Sequence, residues 1–139
     1  MSAVNILIHY VWVTKYRTPF LIPEVREDIF KHINLNADEK SINLLNINGY
    51  TDHIHCLIKL KPNQTPEQIA RLLKGESSFW INKNKIIEDN FQWQREYYAE
   101  SVSKKDLKKI NGYINNQVLH HESASTNPKR ELHLFESRS

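Results

Sequence analysis

Two histidines separated by one residue stand in an alternating stretch of the sequence, GYTDHIHCLIKL (residues 49–60). A β-strand repeats every two residues, so His53 and His55 should project from the same face of a sheet. Two imidazoles side by side on a stiff strand can offer two nitrogen lone pairs to one divalent ion. The alternative is that both rings are half-buried strand residues that only make hydrogen bonds, because His-x-His also occurs without a metal. The spacing alone leaves both interpretations open.

A tyrosine and a glutamine occupy neighbouring turns of a predicted helix later in the chain, SKKDLKKINGYINNQVLHHE. Tyr113 and Gln117 are four residues apart, so a phenol and an amide should project from one flank and could act on one target. Gly112 weakens this helix by up to about 1 kcal/mol relative to alanine and leaves room for close approach of another chain. The alternative is an amphipathic helix whose tyrosine packs at the edge of the core. Its apolar strip would be Leu107, Ile110, Ile114 and Val118, and its opposite side would carry Lys104, Lys105, Lys108 and Lys109.

The elements that must position these residues follow one another in the order β-α-β-β-α-β. A capping box of Thr65 and Gln68, with Pro66 at the first helical position, predicts the start of the second helix. Ser103 is the expected N-cap of the last helix. The predicted elements are a strand over residues 5–15, a helix from residue 23, strands over 41–50 and 53–60, a helix from residue 66, a strand over 93–102 and a last helix over 103–121.

This order predicts an α+β fold, the ferredoxin-like split βαβ arrangement, with the last helix as an addition. Right-handed crossovers place the first two helices on one face of a four-stranded antiparallel sheet. Ile54, Cys56, Ile58 and Leu60 should face those helices, and the histidines, Leu57 and Lys59 should face the uncovered side. We expect one domain over residues 1–139, with a core over about 5–121 and a tail over 122–139.

The composition is that of an ordinary globular protein, with 139 residues, 40% hydrophobic and 25% charged residues. A formal net charge of +3 is compatible with a polyanionic partner without requiring one. The single cysteine, Cys56, excludes an internal disulfide and a cysteine-based zinc cluster and suits a reducing compartment. No apolar stretch approaches the length of about 20 residues that spans a bilayer, so we expect a cytoplasmic protein without a membrane partner.

Several segments together resemble a known family. The strand TDHIHCLIKL is similar to the HUH motif (histidine, bulky apolar residue, histidine) of the single-tyrosine HUH nucleases. YVWVTKYR, LLKGESS, WQREYYAESVS and INGYINNQVLHH resemble, in the same order, the small insertion-sequence transposases of the IS two-hundred and six-hundred-and-five type. The likeness covers about residues 8–121. Thr51 departs from the proline that the family often has before the Asp-His pair, and Cys56 replaces a common leucine.

The resemblance implies a DNA transposase that cuts and rejoins single-stranded DNA through a covalent 5′-phosphotyrosine intermediate. Matched position by position, it makes His53 and His55 metal ligands, Tyr113 the nucleophile and Gln117 the third ligand of Mg²⁺ or Mn²⁺. It also implies a DNA hairpin as the recognised element. The partner would be a second copy of the chain, in a homodimer whose active sites combine the histidines of one subunit with the tyrosine helix of the other.

Basic and aromatic residues are candidates for contacts with such a DNA strand. For each taken singly, a solvated lysine or a core aromatic is the competing interpretation. The backbone-contact candidates are Arg71, Lys74, Lys104, Lys105, Lys108 and Lys109, and the base-stacking candidates are Tyr16, Trp93 and Tyr97.

Three other functions remain open at this point. A domesticated hairpin-nicking endonuclease would carry the same residues. A non-catalytic nucleic-acid-binding module could share the sheet, although the aromatic RNA-binding pattern is absent. A zinc hydrolase would need a further Asp, Glu or His at ligand spacing beside His53, which the sequence lacks, and would leave the tyrosine unexplained.

Overall fold

The computed structural model describes residues 3–119. Within them, four strands form one antiparallel sheet with the order β2-β3-β1-β4. This is the predicted ferredoxin-like arrangement. The elements in chain order are β1 (Ile6–Val13), a 3₁₀ turn (Lys15–Arg17), α1 (Pro23–Glu39), β2 (Asn43–Gly49), β3 (His53–Leu60), α2 (Pro66–Lys83), β4 (Tyr98–Val102), a second 3₁₀ turn (Lys104–Asp106) and α3 (Leu107–Asn115).

Both long helices begin where the sequence restricts the backbone. Pro23 and Pro66 occupy the first helical position of α1 and α2, where the fixed φ of proline suits a helix and its missing N–H costs no hydrogen bond. Half of the predicted capping box is present, because the Thr65 hydroxyl accepts a hydrogen bond of 3.1 Å from the Gln68 N–H. These local signals explain why both helix starts could be predicted to the residue.

The hydrophobic core lies between the sheet and the two long helices, as the alternation of β3 predicts. Ile54, Cys56, Ile58 and Leu60 belong to one buried cluster with residues of both helices. The largest fully buried side chain is that of Trp12 on the neighbouring strand β1. The helices contribute Ile29, Phe30, Ile33 and Ala37 from α1 and Ile69, Ala70, Leu73 and Ile81 from α2.

The opposite face of the sheet differs from the prediction that it stays uncovered. α3 lies over β2 and β3 of its own chain. His53, His55 and Leu57 are consequently buried on that face, as on an interior strand. The apolar strip of α3 accounts for this, because its central residue Ile114 is fully buried. The helix thus covers, within one protomer, the surface that we expected a second subunit to cover.

The last two elements are shorter than predicted. β4 has five residues and starts at Tyr98, and Trp93 takes part only in an isolated bridge with Thr14. Before α3, a 3₁₀ turn follows Ser103, whose hydroxyl donates to Asp106 and caps no backbone N–H. A turn at Asn116 interrupts the predicted helix, helical residues 117–119 follow it, and the predicted end at His121 lies outside the described residues. No described helix is long and apolar enough to cross a membrane.

Candidate active site

The two histidines of β3 lie at the centre of the sheet. In the antiparallel register of β1 and β3, His53 pairs with Val13 and His55 pairs with Val11. The exposed fractions of the two histidines are 1% and 0%. Both rings are on the α3 side of the sheet, with centroids 5.2 Å apart and planes at 75°. The strand therefore holds two imidazoles next to each other in a buried position, as the spacing predicts.

A carboxylate fixes the orientation of His53. Oδ1 of Asp52 lies 2.8 Å from Nδ1 of His53, and Oδ2 of Asp52 accepts a hydrogen bond of 2.9 Å from Nε of Arg17. Burial alone would raise the pKa of the Asp52 carboxyl, but the hydrogen bonds from His53 and Arg17 lower this pKa from 3.8 to about 2. An ionised carboxylate only accepts hydrogen bonds, so the proton lies on Nδ1 of His53. In the neutral imidazole, the lone pair of Nε2 is then left for another partner.

Gln117 approaches that nitrogen. Its Oε1 lies 3.2 Å from Nε2 of His53, and its Nε2 donates a hydrogen bond of 3.0 Å to the carbonyl of Tyr113. Because the amide nitrogen is used in this way, the carboxamide oxygen is the atom directed at His53. The two facing atoms are both acceptors when His53 is neutral, an arrangement that a shared cation would stabilise. Two adjacent ligands at about 2.1 Å from an octahedral ion are separated by about 3.0 Å, close to the distance found here.

A divalent metal ion at His53 and His55 would need a ligand that is neither a histidine nor an acid. Among residues 3–119, no group of three or more His, Cys, Asp or Glu side chains could hold a metal ion. Two imidazole nitrogens and one carboxamide oxygen form a mixed donor set that fits Mn²⁺ or Mg²⁺. The residues that could hold such an ion are those predicted, His53, His55 and Gln117.

The predicted nucleophile lies beside these groups in the same chain. The ring of Tyr113 is half-buried and stands edge to face against His55, with ring centroids 5.5 Å apart. The same ring lies 6.4 Å from the ring of His9. Tyrosine, paired imidazoles and carboxamide therefore converge within one protomer. This differs from the composite of two subunits that the resemblance implies.

Asparagines of β2 attach the tyrosine helix to the sheet. The amide of Asn46 donates to the side chains of Asn111 and Asn115, at 3.1 and 3.0 Å. The amide of Asn48 donates to the carbonyl of Ile114 at 2.8 Å and to that of Asn115 at 3.2 Å. Nothing among the described residues lies within 4 Å of a Cβ built on Gly112. These hydrogen bonds add to the apolar contact of Ile114 in holding the helix, and the space beside Gly112, next to the tyrosine, is open.

The predicted DNA-contacting cations fall into two groups. Lys74 is half-buried, and its ammonium donates hydrogen bonds of 2.7 Å to the carbonyls of Gln94 and Arg95. Burial lowers the pKa of Lys74 from 10.5 to about 8, although the nearby charge of Glu96 acts in the opposite direction. The other candidate side chains are exposed: Arg71, Lys104, Lys105, Lys108 and Lys109.

The aromatic candidates divide in the same way. Trp93 is a core residue, 7% exposed, and its indole N–H donates to the Ser77 hydroxyl. This position does not suit base stacking, so that candidate was wrong. Tyr97 is half-buried, with its ring centroid 5.9 Å from that of Tyr10. Tyr16 is 85% exposed, with the Lys15 ammonium 5.4 Å from its ring centroid, and stays a candidate for base stacking.

The comparisons with known proteins identify the family. The family model described as "Transposase IS200 like" matches residues 2–117. The chain belongs to the IS200-like transposase family. DNA transposition is the activity that this membership supports.

Individual relatives agree with this assignment. The IS200-like chain is 29% identical over 120 residues to the transposase for insertion sequence element IS200 of Salmonella typhimurium, covering 82% of this chain and 78% of that protein. It is 26% identical over 115 residues to the ISDra2 transposase TnpA of Deinococcus radiodurans, covering 78% and 81%.

Two solved structures share the fold. One is a crystal structure of a protein from Deinococcus radiodurans R1 to which a transposase function is ascribed, with a TM-score of 0.68, 23% identity and coverage of 84% of this chain and 93% of that one. The other is a REP-associated tyrosine transposase bound to a REP hairpin, with a TM-score of 0.66, 14% identity and coverage of 87% and 71%. At these identities, the likeness supports the fold of this IS200-like transposase alone.

Sequence reasoning missed two residues of the transposase site, His9 and the role of Asp52. Nε2 of His9 lies 2.8 Å from Nδ1 of His55, and the two rings meet edge to edge with nearly parallel planes. An antiparallel pairing of β1 with β3 puts alternate residues of both strands on one face. The sequence signal for His9 was therefore its place among the alternate residues of the first strand that share the face of His53 and His55. The signal for Asp52 was its position directly before the first histidine.

Proposed function

We propose that this transposase is a single-tyrosine nuclease and strand transferase that acts on single-stranded DNA, with Tyr113 as the nucleophile. The observation that carries the proposal is the contact between the rings of Tyr113 and His55, next to the carboxamide of Gln117 at His53. A phenol, two imidazoles and an amide oxygen meet here in the middle of a sheet. They have a shared chemical purpose in cleaving a phosphodiester.

The chain's own residues supply the nucleophile and hold the reacting groups. An ordinary phenol has a pKa near 10 and is a poor nucleophile at neutral pH, so its target must be polarised. Mg²⁺ or Mn²⁺ bound by His53, His55 and Gln117 would supply that polarisation at a non-bridging phosphate oxygen. Tyr113 Oη forms the bond to phosphorus as the bond to the 3′ oxygen breaks. The phenol loses its proton and the 3′ oxygen gains one.

The products are a 5′-phosphotyrosine and a free 3′-OH. The phosphotyrosine conserves the energy of the phosphodiester, so a second 3′-OH can attack it and restore a DNA strand without ATP. One site therefore both cuts and rejoins. Buried imidazoles on a stiff strand favour this chemistry, because they keep their positions through both steps.

The DNA is proposed to carry a hairpin next to the cleaved phosphate. The chemistry needs an exposed phosphate, which a single strand offers, and recognition needs a shape that a hairpin supplies. One structural relative is described as bound to a REP hairpin. The exposed lysines that precede and line α3 are the proposed backbone contacts, since their charge requires no particular base.

The active assembly is proposed to be a homodimer whose subunits exchange the tyrosine helix. In the structure described here, the tyrosine helix lies on the sheet of its own protomer. In the exchanged dimer it would lie on the sheet of the partner. Asn46 and Asn48 hold α3 through hydrogen bonds that an identical partner surface could reproduce, so exchange costs little free energy at equilibrium. Sedimentation that detects monomer alone at working concentration would count against the dimer.

The decisive test is covalent capture. The protein is incubated with a single-stranded hairpin DNA and Mg²⁺ or Mn²⁺, and an adduct on the 5′ end of the downstream fragment is sought after denaturation. Tyr113→Phe should bind the DNA but form no adduct, and His53→Ala or His55→Ala should abolish cleavage. Tyr98→Phe should still form the adduct. An adduct that survives in Tyr113→Phe would refute the assignment of the nucleophile.

A second DNA substrate distinguishes the proposed strand transferase from a domesticated hairpin-nicking endonuclease. A domesticated endonuclease would nick the hairpin but would not rejoin strands on an incoming end. Addition of a second oligonucleotide with a free 3′-OH should therefore give a recombinant strand. A non-catalytic binding module would give neither the adduct nor this product.

A further inference from the structure

His9 contacts His55, the second candidate metal ligand, at ring nitrogen Nδ1. It is on β1, diagonal to His55 across the β1–β3 pair, and both side chains are buried. Nε2 of His9 lies 2.8 Å from Nδ1 of His55. The ring planes differ by 13° and the centroids are 5.0 Å apart, so the two imidazoles meet edge to edge, as a hydrogen bond between ring nitrogens requires. This distance between two ring nitrogens requires one hydrogen bond, with one proton between them.

The location of that proton determines what His55 can do. If His9 donates, Nδ1 of His55 is the acceptor, and a neutral His55 then carries its proton on Nε2. Such an imidazole has no lone pair to offer a cation. If His55 donates from Nδ1, its Nε2 keeps a lone pair. The acceptor, Nε2 of His9, must then be unprotonated, and a neutral His9 carries its own proton on Nδ1.

We propose that His9 is a positioning residue that accepts the Nδ1 proton of His55, so that Nε2 of His55 is the nitrogen that faces the active site with a lone pair. The use of this lone pair rests on the function proposed above. The position of the proton does not, because it can be measured in the metal-free protein.

The arrangement around His53 supports this direction. There, the acidic Asp52 must accept the Nδ1 proton, which leaves Nε2 toward Gln117. His9 would perform the same task for His55, so both imidazoles would present Nε2. Hydrogen bonds at the far nitrogen are the usual means of fixing which nitrogen a histidine offers to a metal.

The two acceptors differ in charge, and their surroundings match that difference. Asp52 is anionic and is paired with Arg17. His9 lies deeper in the sheet, where the rings of Tyr98 and Tyr113 stand edge to face against it at 5.9 and 6.4 Å. Glu100 lies opposite His9 in the β1–β4 pairing, so its side chain belongs to the same face of the sheet. An acid in place of His9 would stand beside a second acidic side chain, which an imidazole avoids.

Nitrogen NMR of the metal-free wild-type protein tests the proton position directly. Long-range ¹H–¹⁵N correlation should show the proton of His55 on Nδ1 and an unprotonated Nε2 on His9. A nitrogen–nitrogen coupling across the hydrogen bond should connect Nδ1 of His55 with Nε2 of His9. A proton on Nε2 of His55, or a coupling in which His9 is the donor, would overturn the proposal.

Variants test the consequence for metal binding. His9→Phe keeps the ring but removes the acceptor, and it should weaken Mn²⁺ binding about 10- to 100-fold in calorimetry. His9→Gln places an amide oxygen near the lost nitrogen and should restore most of the affinity and the Nδ1–H form of His55. His32→Gln, at a histidine that bonds Glu76 between the two long helices, is the matched control and should bind as wild type.

The outcomes of these experiments test the role of His9 separately from the proposed metal site. His9→Phe with wild-type Mn²⁺ affinity, or His9→Gln as weak as His9→Phe, would refute the role of His9. If His9→Phe fails to fold, the wild-type NMR and the His9→Gln variant still decide the question. A wild-type protein that binds no Mn²⁺ would refute the proposed metal site, while the proton position would still decide the role of His9.

Discussion

The side-chain oxygen of Gln117 lies 3.2 Å from Nε2 of His53, although these residues are 64 positions apart in the sequence. The far nitrogen of His53 is held by Asp52, and the amide nitrogen of Gln117 is held by the Tyr113 carbonyl. Both residues are thereby turned so that, when His53 is neutral, an acceptor faces an acceptor. The hydrogen bond to the Tyr113 carbonyl also ties the candidate metal ligand, just beyond the end of α3, to the tyrosine within it.

Replacement of Gln117 by leucine should reduce Mn²⁺ affinity at least about tenfold, because the carboxamide oxygen is the only proposed ligand that β3 does not provide. Isothermal titration calorimetry measures this directly. Gln68→Leu, at an exposed position near the start of α2, is the control and should bind as wild type. Equal affinity of wild type and Gln117→Leu would remove Gln117 from the ligand set.

Mixing two inactive variants should restore covalent capture if α3 exchanges between subunits. Tyr113→Phe keeps the histidines and His53→Ala keeps the tyrosine, so a heterodimer contains one intact combination. With random subunit mixing, half of the dimers are heterodimers and each has one working site, which gives about a quarter of wild-type adduct. A mixture that exchanges subunits but yields no adduct would mean that the cis arrangement is the active one.

The salt dependence of DNA binding should distinguish the exposed cations from Lys74. Each lost phosphate contact to a single strand lowers the slope of log K against log salt by about 0.7. We expect this reduction in Arg71→Gln and in Lys108→Gln. Lys74→Gln should leave the slope unchanged, since its ammonium is occupied by the carbonyls of Gln94 and Arg95. A reduced slope in Lys74→Gln would show that these internal bonds open on binding.

Gly49 ends β2 at the point where β3 turns back with His53. A Cβ on Gly49 would overlap the His53 carbonyl oxygen and lie 2.9 Å from Cα of Ile54, so the backbone itself must shift. Gly49→Ala should therefore destabilise the protein by about 1–3 kcal/mol and weaken Mn²⁺ binding. Urea unfolding and calorimetry measure the two effects.

The matched control is Gly75 in α2, where a Cβ meets nothing within 4 Å. Gly75→Ala should stabilise the protein by about 0.5–1 kcal/mol, because alanine loses less backbone entropy in a helix. Wild-type stability of Gly49→Ala would contradict the close approach of the two strands at this turn.

The sequence predicted those parts of the fold that are determined locally. Pro66, the Thr65 cap and the alternation of β3 each act within a few residues, and each led to a correct element. The extent of β4 depends on a distant residue, because Lys74 holds the carbonyls of residues 94 and 95 in a loop. No pattern within residues 93–97 reveals that.

The site shows the same division. His53 and His55 were visible as a pair because two positions on one strand share a face. His9 was not, since its contact with His55 depends on which strands pair and in which register. The covering of the sheet by α3 uses, besides the apolar strip, asparagines of β2, whose polar side chains resemble an ordinary solvent-facing strand in the sequence. The ligand roles of His53, His55 and Gln117, and the dimer, remain predictions.

The depressed pKa of Lys74 predicts that the free energy of unfolding depends on pH in the alkaline range. Burial lowers this pKa from 10.5 to about 8 in the folded protein, so between these values the unfolded chain binds the proton more strongly. The contribution of Lys74 to stability should therefore increase as pH rises from about 8 toward 10.5. The free energy of unfolding of wild type, relative to Lys74→Gln, should be larger at about pH 9.5 than at about pH 7.5. Urea denaturation of both proteins at both values measures this, and a difference that is constant or falls with pH would contradict the burial of the ammonium.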